Sequence, residues 1–244
     1  MGQRKAGQKG ELIAMIFQFM VAEKAGKREI DYEVNGAVLC GYTGRDQAAV
    51  RKHIEELAKE GVEPPPSVPI LYPKPPWGLT QKDAIQVEGR ETSGEVEFFM
   101  LVDESRIYVG VASDHTDREL ERIDIRKSKQ VCPTILSRNL WNYEEVKETW
   151  DQIQIRSWAI KDGQKSIYQE STLGSILPPE DLIRLVQLQL NDRIGSIALF
   201  SGTPPLLAGE MIFADRFEAE LLDASFNRKI TVEYDIHTLE WFKD

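Results

Sequence analysis

Apolar residues in this chain come in short runs separated by charged residues, glycine or proline. Such a pattern predicts strands more often than long helices. Residues 12–21 and 27–34 read as two strands around a turn at 24–27, and 37–42 as a third short apolar strand. The period changes between Gly44 and Gly61, where Val50, Ile54 and Leu57 recur on one stripe and Gly61 supplies a stop, so a helix is expected there. Residues 64–76 form a proline-dense connection. Strand signals resume at 85–87, 96–102 and 107–112, and Asp103, Glu104 and Ser105 make the last two a hairpin. Residues 143–150 read as a helix, 152–160 and 166–169 as strands about the Asp162-Gly163 turn, and 178–190 as a helix with proline in its first turn. The tail returns to strand at 197–200, 213–222 and 230–234. Many locally paired strands with a few peripheral helices define an α+β chain. There is no repeat, low-complexity tract or clean boundary, so one domain is expected over 11–244, behind a flexible segment at 1–10.

Composition narrows the partners. The 244 residues are 41% apolar, enough for a full core, and carry a formal net charge of -10. That charge repels phosphate backbones and anionic lipid, so neither a nucleic acid nor a membrane is an expected partner. The one basic cluster, at 2–10, has the character of a frayed terminus. The longest apolar run, 12–22, is broken by Gln18, is too short to span a bilayer and has no small-residue cleavage site after it. A soluble, cytoplasmic protein is expected. Cys40 and Cys132 stand far apart with no CxxC spacing, so both are expected to be buried free thiols.

One constellation carries chemistry. Glu95 and Glu97 sit two apart on a predicted strand, which puts both side chains on one face roughly 6.5 to 7 Å apart. If the hairpin turns about Glu104, Asp114 lies beside Glu95 at a cross-strand separation of about 5 Å. Three anions so close need a proton or a bridging cation, and hard oxygen donors favour Mg²⁺ or Mn²⁺ over zinc. The plainer alternative is that Glu95 and Glu97 form the solvated face of an amphipathic strand, although Phe98 and Phe99 break the polar alternation. A slip of one residue in register would also separate the three groups.

The stretch SDHTDRELE, residues 113–121, follows the Glu95/Glu97 pair and resembles the NDxSARDxQ segment of the fumarylacetoacetate hydrolase superfamily. Further matches fall in the family's order. GRDQAAVRKHIEELAKEGVEPPPSVPILYPKPP, residues 44–76, is similar to the GRNYxxHxxE segment followed by PxLFxKP. Downstream stand the Lys127-Ser128-Lys129 cluster with Pro133, the Asp-Gly turn and glutamine of KDGQKSIYQEST, and SGTPPLLAGEM against TGTPxGVG. The likeness runs from about Gly41 onward. More narrowly, the chain resembles a divergent branch of that superfamily, the DUF2848 type.

The resemblance implies a fold of mainly antiparallel sheets in a β-sandwich or roll with peripheral helices, and a homodimer. It implies that Glu95, Glu97 and Asp114 ligate Mg²⁺ or Mn²⁺, and that Arg118 pairs with a substrate oxyanion or holds the ligands. Lys129 would be the cation near the substrate, with Lys127 as its rival because the spacing to Pro133 is short. Lys74, Gly202 and Thr203 would meet the substrate, Thr203 through its hydroxyl and neighbouring backbone donors. His53 and Glu56, three apart on the predicted helix, match an HxxE dyad in which the carboxylate orients the imidazole as a base for water. A lone helical histidine is otherwise commonly a surface or core residue. His115 is expected to point to the opposite face from Asp114 as a supporting residue, and His237 to be incidental. The implied activity is metal-dependent hydrolysis of a carbon–carbon bond in a small 2-oxo or diketo acid. Decarboxylation or tautomerisation at the same site, or a non-catalytic metal- or small-molecule-binding module, are the alternatives. Three departures stand out: Glu121 replaces the family's glutamine, Ser113 replaces an asparagine, and the interval from Glu97 to Asp114 is shorter.

Overall fold

A computed structural model describes residues 13–59, 64–103, 106–190 and 195–241. The predicted hairpin lies at its centre. Strands Val96–Val102 and Ile107–Asp114 pair antiparallel with Val96 opposite Ser113 and Phe99 opposite Gly110. Around them, among the described residues, a ten-stranded mixed sheet runs in the order Gly26–Val34, Met15–Glu23, Asn139–Asn142, Ile107–Asp114, Val96–Val102, Ile197–Phe200, Gly36–Gly41 and Ile70–Lys74, with Thr134–Leu136 and Leu79–Thr80 attached to one side. A five-stranded sheet runs Gln164–Thr172, Gln154–Lys161, Arg216–Asp223, Arg228–Thr238 and Ala84–Val87.

The hairpin is buried on both faces, which explains why Phe98 and Phe99 can stand side by side. Phe98, Met100, Val109 and Val111 pack toward Ile155, Phe217, Leu221 and Tyr234 of the second sheet. Phe99, Leu101 and Tyr108 pack on the other side with Phe17, Phe19, Leu39 and Phe200, where the first sheet curls over itself. A strand enclosed on both sides reads as a continuous apolar run. Each fully buried phenylalanine stabilises by about 2 to 3 kcal/mol through area removed from water. The Asp162-Gly163 turn has φ of 52° and 76°, the left-handed pair that a two-residue hairpin requires. Cys40 and Cys132 are buried free thiols. No helix among the described residues is long and apolar enough to cross a membrane.

Several elements depart from the sequence reading. The proline-dense 64–76 segment contains the strand Ile70–Lys74, with Pro73 opposite Val38. It ends the order of the large sheet, and an edge strand tolerates a residue that cannot donate to the ladder. Residues 143–150 do not form a helix; the region has two single 3₁₀ turns, Tyr143–Glu145 and Trp150–Gln152. Two short helices that the periodicity did not reveal, Arg118–Glu121 and Ile125–Val131, follow the hairpin. Each starts on an aspartate cap: Asp117 accepts from Leu120 N at 2.8 Å and Asp124 from Lys127 N at 3.0 Å.

Candidate metal centre

The three carboxylates lie where the central hairpin ends. Asp114 closes its strand, Glu95 stands one residue before the facing strand, and Asp114 N donates to Glu95 O at 3.0 Å. Asp114 is thus directly across from Glu95, in the arrangement the sequence predicted. With Glu97, one oxygen from each residue falls within 4.8 Å of the other two. Glu97 and Asp114 are buried, whereas Glu95 keeps 17% of its side chain exposed and so faces the open side.

Among the described residues three cations surround these groups, each held by a different element. The Ile125–Val131 helix turns Lys129 inward: its Nζ donates to Asp114 Oδ2 at 2.7 Å, Glu95 Oε2 at 3.2 Å and Thr116 Oγ1 at 3.3 Å. Lys127 points outward and pairs with Asp124 at 3.2 Å, which settles which of the two lysines reaches the centre. Arg118 donates through Nε to Ser93 Oγ at 2.8 Å and pairs with Glu95 Oε1 at 3.1 Å and Glu121 Oε2 at 2.7 Å. Lys74 lies behind Asp114, 4.0 Å from Oδ1. Its ammonium donates to Cys132 O and Thr134 Oγ1, both at 2.8 Å, and Thr134 Oγ1 in turn donates to Asp114 Oδ1 at 3.0 Å.

Burial and charge pull these groups in opposite directions. Burial would raise the Glu95 carboxyl, but Lys129 and Arg118 beside it hold it down at about 2. Glu97 has no such neighbour at contact distance among the described residues; burial, followed by the charge of Asp114, pushes it well above the usual carboxylate range. Burial would lower Lys129, yet Asp114 and Glu95 hold its ammonium well above the ordinary value. Lys74 is lowered by burial, against the pull of Asp114. A deep carboxylate that resists ionising until a cation arrives, beside two more carboxylates within reach of the same point, suits a hard divalent ion.

The Gly-Thr-Pro turn, expected to meet a substrate, makes its hydrogen bonds within the protein. Gly202 N donates to Glu97 Oε2 at 3.0 Å. Thr203 Oγ1 donates to Val96 O at 2.8 Å and accepts from Gln169 Nε2 at 2.6 Å, so its hydroxyl is committed within the protein. Gly202 has φ +81°, and an added Cβ would lie 2.5 Å from Thr43 Oγ1 and 2.9 Å from Cys40 O. Only glycine fits that approach. Lys74, also expected at the substrate, has its ammonium turned to protein oxygens. His53 and Glu56 both fall in the helix Gln47–Lys59, and their side chains lie outside the described residues.

His115 points away from the centre, buried, with Nδ1 2.9 Å from Tyr234 OH. Burial lowers its pKa to about 3, so the ring is neutral. His237 is exposed. Sequence reasoning missed Tyr42, which follows the Gly36–Gly41 strand with φ 57°. Its phenol is raised by burial first and then by the charge of Glu121. Its local signal was slight, one aromatic between two small residues.

The curled mixed sheets around the central hairpin make a fumarylacetoacetate hydrolase-like fold, which the solved structures similar to this chain share. The chain belongs to the family described as a protein of unknown function, DUF2848, whose model matches residues 40–234. No curated protein matches this sequence. Among solved structures it is similar to Cg1458, with 12% identity over 92% of this chain and 100% of that chain and a TM-score of 0.61. It is also similar to 2-keto-3-deoxy-D-arabinonate dehydratase complexed with magnesium and 2,5-dioxopentanoate, at 13% identity, 83% and 73% coverage and a TM-score of 0.59. The 4-oxalocrotonate decarboxylase of Pseudomonas putida G7, complexed with calcium and acetate, matches at 14% identity, 83% and 77% coverage and a TM-score of 0.51. At these identities the likeness is one of fold.

Proposed function

We propose that this chain is a divalent-metal-dependent enzyme that breaks a carbon–carbon bond in a small 2-oxo acid, with hydrolysis of an acylpyruvate-like diketo acid as the first reading. The observation that carries the proposal is the convergence of Glu95, Glu97 and Asp114 within 4.8 Å, with Lys129 against two of them. Mg²⁺ or Mn²⁺ held by these three residues supplies, when bound, chelation of the 2-oxo acid and a sink for charge as the bond breaks.

The protein's own groups do the rest. Lys129 holds its ammonium at the centre and stabilises negative charge developing on the 2-oxo oxygen. Arg118 keeps Glu95 ionised and oriented. The hydrolytic reading needs a base, the role the sequence resemblance gives to His53 with Glu56, to take a proton from water, whose hydroxyl adds to the distal carbonyl carbon. The bond between that carbon and the methylene breaks, its electron pair stays on the methylene carbon, and a proton completes a methyl group. The products are a carboxylic acid and pyruvate, so one water is consumed.

A second reading, loss of carbon dioxide or water from a 2-oxo acid at the same centre, is favoured by the names of the dehydratase and decarboxylase that share the fold. Acylpyruvates and oxaloacetate, offered to the full chain with Mg²⁺ or Mn²⁺, separate the two by product. Chelator-reversible turnover that disappears in Asp114→Ala is the expected result. Metal and oxo-acid binding without turnover across the panel would overturn the enzymatic reading in favour of a binding module.

A further inference from the structure

The sequence carries Glu121 where the resembling segment carries glutamine, and the structure places that carboxylate on Arg118. Resting on the 2-oxo acid reading above, we propose that Glu121 sets the charge this centre accepts, favouring a 2-oxo acid with an uncharged tail over one with a second carboxylate.

Four carboxylates meet here, Glu95, Glu97, Asp114 and Glu121, against three cations, Lys74, Lys129 and Arg118. His115 is neutral and turned away. Counted with Glu97 ionised, as a bound cation requires, the described protein groups leave one negative charge in excess. A divalent ion leaves one positive charge, which the single carboxylate of a 2-oxo acid neutralises. With glutamine at 121 the same centre would carry a second positive charge and would welcome a second carboxylate.

The donors agree with the charge. Arg118 is buried and spends Nε on Ser93, one Nη on Glu121 and the other on Glu95. Lys74 is spent on Cys132 O and Thr134, and Lys129 on Asp114, Glu95 and Thr116. Every cation that the described residues bring to this centre is therefore already paired. Glu121 is the least enclosed member of its network, with 24% of its side chain exposed against 4% for Arg118. Its negative charge borders the open side. An uncharged tail finds a compatible surface there; a second carboxylate meets a like charge with no free cation among the described residues.

Two probes of equal chain length isolate the tail: 2-oxopentanoate and 2-oxoglutarate, titrated calorimetrically into the Mg²⁺-loaded full chain. A like charge across a partly solvated pocket corresponds to about a tenfold preference, so the wild type is expected to bind 2-oxopentanoate about tenfold more tightly. Glu121→Gln, which keeps an acceptor for Arg118, is expected to remove that preference by tightening 2-oxoglutarate alone. Glu121→Asp, which keeps the charge, is expected to retain it, and a thermal melt of each variant checks folding. An unchanged ratio in Glu121→Gln, or a wild-type preference for 2-oxoglutarate, overturns the role of Glu121 while leaving the 2-oxo acid reading intact. Failure of the Mg²⁺-loaded wild type to bind either acid overturns both.

Discussion

Replacing Lys129 with methionine tests whether the centre is held together by charge. The ammonium lies 2.7 Å from Asp114 and 3.2 Å from Glu95, with only 11% of its side chain exposed. Methionine preserves most of the apolar stem, so the change removes a cation from between two enclosed carboxylates with little loss of volume. Removing one partner of a buried pair costs about 3 to 5 kcal/mol. Asp114 keeps the Thr134 hydroxyl at 3.0 Å and Glu95 keeps Arg118 at 3.1 Å, which puts the expected loss near the lower end. For a chain of this length, about 3 kcal/mol lowers Tm by roughly 6 to 12 °C. A divalent ion supplies the missing charge, so Mg²⁺ or Mn²⁺ should stabilise Lys129→Met more than the wild type and bind it more tightly, while turnover collapses. Thermal melts with and without metal, with metal affinity measured by calorimetry, provide the check. An equal fall in Tm with and without metal would refute the reasoning and reduce Lys129 to a packing residue.

Glu97 predicts a pH dependence of the metal-free protein. Its folded carboxyl is raised by burial and by Asp114, so its contribution to stability is complete below the unfolded value of 4.5 and is lost as pH rises through the folded value. Urea midpoints of the metal-free wild type should decline over that window relative to Glu97→Gln, and parallel curves would contradict this. His115 acts in the opposite direction: with a folded pKa of about 3 against 6.5 unfolded, its contribution is present above 6.5 and lost as pH falls toward 3. His115→Asn should lose about one proton of acid sensitivity across that window, read from the pH slope of unfolding free energy. Gly202→Ala puts a Cβ 2.9 Å from Cys40 O at φ +81°, so it should cost about 1 to 3 kcal/mol and weaken metal binding by disturbing the donor to Glu97. Under the hydrolytic reading, His53→Ala should abolish hydrolysis with metal affinity nearly intact, and equal loss of both would remove its assigned role.

How much of this was legible in the sequence depended on whether local pattern or distant contact decides each element. The hairpin was legible because two apolar runs flank a short polar turn, and its register followed from the turn position closely enough to pair Asp114 with Glu95. Strands at 96–102 and 197–200 were read with the bounds they have, since buried strands are continuous apolar runs. The strand Ile70–Lys74 was hidden by its prolines, which only an edge position permits. The helices carrying Arg118 and Lys129 are one or two turns long, too short for a period to show. The resemblance pointed to Arg118 and Lys129 on them, and the choice between Lys127 and Lys129 awaited the cap at Asp124. Lys74 and Thr203 show a different limit. A sequence can bring a polar residue to a site without revealing whether its hydrogen bonds point outward to a ligand or inward to the protein.

That inward direction has a physical logic. Neutral groups of the second sheet hold the chain beside these carboxylates. Gln169 accepts from Val96 N and Ser157 Oγ, each at 3.0 Å, and donates to Thr203 Oγ1 and Pro204 O, so its amide is fully satisfied. It ties the strand between Glu95 and Glu97 to the turn whose Gly202 N–H holds Glu97. Tyr234 does the same for Asp114, contacting Ser113 Oγ at 2.8 Å and His115 Nδ1 at 2.9 Å on the two residues that flank it. A cation in either of these supporting positions would repel a metal, and an anion would compete for it. Neutral amides and hydroxyls do neither. The three carboxylates can therefore be held in register from behind while their charge remains available in front, where Lys129, Arg118 and Glu121 adjust how much of it a ligand meets.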